Sequence, residues 1–158
     1  MLDIIKSDEV KDMFLRHITL KKWLKAIYES ECLDPSKTPR HGIDREYMSF
    51  ELNPVSDILF RAFPKLKSNP ISNIQDGEQF ELLFDADKMQ TDGIELVEKV
   101  GANSKRELEM TLRLSGFSKQ EIESVGEYRF IKGKVSLKYL TSESKRQLEQ
   151  FIRENSQT

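Results

Sequence analysis

Residues 102–125, ANSKRELEMTLRLSGFSKQEIESV, constrain the fold more tightly than any other part of the chain. Ser104 precedes Glu107, and Ser118 precedes Glu121, at the spacing of a capping box. In that box the serine oxygen accepts from an orphan amide of the first turn, and the glutamate reaches back to the serine's own amide. Gly116 stands between the two boxes and supplies a stop, because a residue without Cβ takes positive φ without steric cost. Leu108, Thr111, Leu112 and Leu114 give the first helix its buried side, Ile122 and Val125 the second, and Phe117 pins the bend. The spacing predicts two short helices joined by a tight corner.

A DNA-reading corner needs a second helix with base-reaching side chains and a positive approach surface. Here SKQEIESV sets Glu121 and Glu123 against Lys119 and Gln120, and it is short. A packed corner is therefore favoured, with Arg106, Glu109, Arg113, Phe117 and Lys119 as the residues that would meet a partner protein. Arg106, Leu108, Glu109, Leu112, Arg113, Gly116, Phe117, Ser118 and Glu121 also carry a likeness to a known family. Over 105–125 the segment resembles the C-terminal helical segment of tailed-phage prohead proteases and scaffold-like proteins. That resemblance implies a protein-contact module of phage or mobile-element origin without protease activity, since the family's catalytic serine and histidine have no counterparts that can be placed here.

The remaining elements follow from periodicity. Val10, Met13, Phe14, His17, Leu20, Leu24, Ile27 and Tyr28 recur at three-to-four spacing and predict a helix over 7–30, with Thr19 a possible break. Residues 32–45 hold two prolines and a glycine and read as a loop. Strict alternation predicts strands over 46–52 and 78–84. Asn53 followed by Pro54 predicts a helix start that runs to Ala62, and a short helix is expected near 92–100. YRFIKGKVSLKYL, 128–140, reads as a hairpin turning at Gly133, and Leu148, Phe151 and Ile152 mark a closing amphipathic helix. Together these give one α+β domain over 1–158, with several short helices, a small antiparallel sheet and a C-terminal helix; residues 1–31 are the part that could stand apart as a helical appendage.

Charge and chemistry narrow the function. Net charge is -2, which disfavours wholesale coating of nucleic acid but permits local patches. Arg129, Lys132, Lys134 and Lys138 interleave with Tyr128, Phe130 and Tyr139, a composition that can hold a nucleic-acid strand by phosphate contact and stacking. The competing reading puts those aromatics in the core and uses the lysines to protect an edge strand. A lone Cys32 excludes an internal disulfide and suits a reducing compartment, and the N-terminus has no signal-like or membrane-spanning run. The cytoplasm is expected.

No catalytic pattern stands out. An EF-hand loop counted from Asp85 fails at Met89, Gln90 and Leu96. Glu81, Asp85 and Asp87 form at most an adventitious magnesium site, and no nuclease motif follows them. A Cys32–His41 pair lacks a visible oxyanion hole and orienting group, and His17 reads as a packing residue. There is no phosphate-cradling glycine loop and no zinc spacing. No catalytic residue, metal or cofactor is expected. The expected function is that of a small non-enzymatic interaction module, binding another protein or itself. Nucleic-acid binding through the basic hairpin is the alternative. An enzyme built on Cys32, His41 or the Asp85/Asp87 pair is the third reading.

Overall fold

Pairing between strands distant in sequence organises this chain. A computed structural model describes residues 13–37, 46–65, 75, 77–100 and 105–155. β1 (Phe14–Leu20) occupies the stretch expected to be helical. It is an inner strand covered on both faces: Leu15, Arg16, His17, Thr19 and Leu20 are all buried. A strand buried on both sides loses its in-out alternation, so apolar spacing alone imitates a helix. Helix begins only after a 3-10 turn, as α1 (Leu24–Ser30), followed by the two-residue β2 (Cys32–Leu33).

β3 (Tyr47–Leu52) and β4 (Gln79–Asp85) form where alternation predicts them. The helix between them starts later than expected. Asn53 adopts φ 49°, and its side chain accepts from the Phe14 amide at 3.0 Å instead of capping; α2 (Ile58–Ala62) starts from Asp57. After β4 the chain turns at once into α3 (Ala86–Thr91), capped by the Asp85 carboxylate accepting from the Lys88 amide at 3.0 Å. The helix expected near 92–100 is absent, and Val97 instead exchanges both backbone hydrogen bonds with Phe130, at 2.8 and 2.7 Å.

α4 (Lys105–Leu114) and α5 (Lys119–Glu123) make the corner. Gly116 takes φ 97°, and the Ser118–Glu121 box is complete: the Glu121 amide donates to Ser118 Oγ at 3.1 Å, and the Ser118 amide to Glu121 Oε1 at 2.9 Å. Ser104, of the first box, lies outside the described residues. Leu114, expected on the buried side, is 66% exposed. β5 (Glu127–Lys132) and β6 (Val135–Ser136) do not form a hairpin with each other. Gly133, at φ 83°, redirects the chain so that β5 pairs with β3 and β6 with β2. α6 (Ser142–Asn155) closes the fold.

The main sheet has order β4-β1-β3-β5, with every neighbouring pair antiparallel. One face carries Leu15, Met48, Phe50, Leu82, Phe84 and Ile131 into a core completed by Leu24, Met89 and Leu148. Phe50 and Phe84 meet edge-on, their centroids 5.6 Å apart; each buried side chain of this size contributes about 1.5–3 kcal/mol. The other face is covered by a second core of Ile58, Leu59, Ala62, Leu112, Ile122 and Val125, with Phe117 packed against it. The corner therefore seals the back of the sheet. The α+β architecture agrees with the sequence.

Candidate functional site

The sheet is paired unevenly. β1 lies against β4 along its whole length, from Phe14–Asp85 to Leu20–Gln79, and β3 lies against β5 from Tyr47–Lys132 to Leu52–Glu127. Between the inner strands, β1 and β3, the ladder holds only at Leu15–Leu52 and Arg16–Glu51. Beyond that point the two halves splay. Backbone groups released from a ladder need other partners, and His17 Nδ1 reaches the Ser49 carbonyl at 2.8 Å across the opening. A carbonyl only accepts, so this nitrogen carries a proton and donates it to the bond. The imidazole rests against Phe50 at a centroid distance of 5.4 Å.

The opening is a cleft of about 70 Å³, lined among others by Arg16, His17, Ser49, Glu51, Phe63 and Tyr128. Pockets for whole drug-sized ligands run to roughly 300–1,000 Å³, so this one admits the end of a ligand.

The cleft floor is a buried ion pair. Arg16 is 6% exposed and Glu51 2%. Two guanidinium nitrogens donate to Glu51 Oε1, one of them Nε at 3.0 Å. Nη2 also reaches the Ser56 carbonyl at 2.9 Å, and Nη1 reaches Glu81 at 3.3 Å. Glu51 Oε2 accepts from the Gly126 amide at 2.7 Å. Burial of charge is tolerable only when the pair is hydrogen-bonded this fully. Gly126 is required by close approach: a Cβ there would lie 2.4 Å from the Leu52 carbonyl oxygen. Together these contacts tie β1, β3, β4 and the start of β5 at one end of the sheet.

The residues singled out by sequence fall elsewhere. Arg106 lies in α4, Glu109 is half-buried, Arg113 and Lys119 are exposed, and Phe117 packs on the second core; the described lining of the cleft includes none of them. Among the bases of the expected hairpin, Arg129 is half-buried, 3.5 Å from Glu98, and donates to the Tyr128 carbonyl. Lys138 lies over the Tyr139 ring at 5.1 Å, while Lys132 and Lys134 flank a recess at the far end of β5. The four thus divide among three surroundings. Tyr128 and Phe130 share a face, as alternation requires, with centroids 5.5 Å apart. Tyr139 is buried; its hydroxyl donates to Asp92 at 2.7 Å, and that bond, aided by burial, raises the phenol's pKa above its ordinary value.

Asp85 is used as a helix cap and Asp87 accepts from the Met13 amide at 2.9 Å. Among the described residues no group of three His, Cys, Asp or Glu side chains could hold a metal ion. Cys32 sits in β2, and its suggested partner His41 lies outside the described residues. His17, expected on a helix, proves to be a cleft residue on a strand. Arg16, Ser49 and Glu51 were not singled out by sequence, and Tyr128 was singled out only as part of the basic hairpin. The signal available was a charged residue in the middle of each of two otherwise core-like stretches, FLRHITL and MSFEL.

Chains of the same fold are found among solved structures. The chain superimposes over 92% of its length on DarT of Thermus sp. 2.9. With the carba-NAD+ complex the TM-score is 0.53 at 14% identity, covering 91% of that chain. With the NAD+ complex the values are 0.52, 13% and 90%, and with the complex of ADP-ribosylated single-stranded DNA they are 0.53, 13% and 90%. No protein-family model and no curated protein matches the sequence. The likeness is one of fold. It overturns the expectation of a non-enzymatic interaction module, because the proteins built this way are found with NAD+ and with an ADP-ribosylated strand. Among the described residues no helix is long and apolar enough to cross a membrane.

Proposed function

We propose that this protein binds NAD+ at the splayed cleft and transfers its ADP-ribosyl group to a single-stranded nucleic acid. The observation that carries this reading is the break in pairing between β1 and β3, in a fold shared with DarT bound to NAD+ and to ADP-ribosylated single-stranded DNA. At about 70 Å³ the cleft admits only part of the dinucleotide, and the transfer requires that part to be the end whose bond is broken. His17, oriented by the Ser49 carbonyl, supplies a polar group at the cleft wall, and Tyr128 adds an aromatic one.

Transfer breaks the bond from ribose C1 to the nicotinamide nitrogen, the electron pair leaving with nicotinamide, and forms a bond from C1 to a heteroatom of the acceptor, whose proton passes to a base. Positive charge builds on the ribose, and a carboxylate held nearby stabilises it. Among the described residues that line the cleft the carboxylate is Glu51, held in place by Arg16 and the Gly126 amide.

Purified protein incubated with NAD+ and a single-stranded oligonucleotide is expected to add one ADP-ribose mass to the strand. His17→Ala should abolish that transfer together with NAD+ binding, whereas Glu81→Gln should have little effect on either. Absence of NAD+ binding by calorimetry, together with absence of transfer, would refute the reading.

A further inference from the structure

Two residues along β3 from the cleft-lining Ser49, Tyr47 lines a second recess of about 290 Å³. Two strand residues span about 7 Å, so the recess neighbours the cleft. Ile131 and Val135 form apolar wall, and Lys132 and Lys134 are exposed at its border. Glu95 is the acid among the described residues that line it. Tyr47 and Lys132 are cross-strand partners, so their side chains leave the same face of the sheet, their Cβ atoms about 5 Å apart. Gly133, at φ 83°, turns the chain between the two lysines, and its amide is fixed on the Glu46 carbonyl at 2.9 Å. The nearby Arg129 is engaged by Glu98.

We infer that this recess is the subsite for the acceptor strand, where one base stacks on Tyr47 and the adjoining phosphates meet Lys132 and Lys134. An aromatic face between apolar walls, with cations beside it, is how proteins hold single strands without reading sequence. The volume suits one nucleotide and lies at the lower limit for small-ligand sites. Strand binding here rests on the recess itself; its use as an acceptor rests on the transferase reading above. The next nucleotide of the bound strand then lies over the cleft, which explains why a single strand, able to splay its bases, would be the substrate.

The test is fluorescence anisotropy of the full chain with labelled single-stranded DNA, single-stranded RNA and duplex, without NAD+. Single strands are expected to bind more tightly than duplex, and the better of DNA and RNA identifies the acceptor. Lys132→Glu with Lys134→Glu should weaken binding at least about tenfold and flatten the salt slope by about 1.4, two phosphate contacts at about 0.7 each. Tyr47→Ala should weaken it about tenfold with the slope unchanged, and Tyr47→Phe should restore it. Lys21→Glu with Lys22→Glu, which line a separate recess, should change neither. Wild-type protein that binds no single strand, or a Lys132/Lys134 variant with unchanged affinity and slope, would overturn the inference. NAD+ affinity measured on the same variants separates the two proposals: it should be unaltered, and its absence in wild type would sink the transferase reading while leaving the strand site intact.

Discussion

The two ends of the main sheet are built on opposite terms. At the joined end Arg16, Glu51, Gly126 and the Leu15–Leu52 pair lock the strands with side-chain bonds as well as backbone ones. At the splayed end the inner strands part, and a bond from His17 to the Ser49 carbonyl spans the gap. The difference teaches that an opening within a sheet is only as well shaped as the hinge that closes it. Cleft residues stand on rigid strands, so their separation is set several residues away, by the buried ion pair. Sites supported this way hold their geometry better than sites on loops.

Breaking the joined end should have the largest effect. Glu51→Ala leaves Arg16 buried without its main partner and is expected to cost about 3–5 kcal/mol, read from urea unfolding. Replacing both partners, Arg16→Met with Glu51→Leu, should cost much less. If single and double variants are equally destabilised, the hinge argument fails. Gly126→Ala forces a Cβ onto the Leu52 carbonyl and should cost about 1–3 kcal/mol by the same measurement. At the splayed end His17→Ala should cost only about 1 kcal/mol, yet abolish detectable NAD+ binding. That contrast between stability and binding sharpens the distinction between the two ends.

The smallest effect lies in the corner. Ser118→Ala should cost about 1 kcal/mol as a lost helix cap. The Ser118 amide and hydroxyl hold the Glu121 carboxyl below its ordinary value of 4.5. A depressed carboxylate stabilises the fold above its unfolded pKa and loses that contribution as pH falls through the folded value. The gap between wild type and Ser118→Ala should therefore narrow as the pH is lowered from about 5 through the Glu121 folded pKa, monitored by thermal melting.

Elements with one buried face were legible in the sequence. Met48 and Phe50 alternate with the polar Ser49 and Glu51, the Ser118–Glu121 box announces its helix, and Leu148 with Phe151 marks α6. β1 was not legible because burial on both faces erased its period. The partners of β5 and β6 were hidden for another reason: Gly133 signals a turn, but the choice of β3 and β2 over a local hairpin depends on strands far away in sequence. The cleft was least legible of all, since it arises where two strands stop pairing, and no motif encodes an omission. Arg16 and Glu51, charges set within core-like strands, were its trace.

The irregular run after α3 has a wider consequence. Val97 occupies the outward hydrogen-bonding groups of Phe130, while Thr141 and Ser144 occupy those of Leu83 on the opposite border. A stray strand from another copy meets each margin already engaged at its middle, which shortens the free edge at either side of the gapped sheet and works against ribbon-like self-assembly.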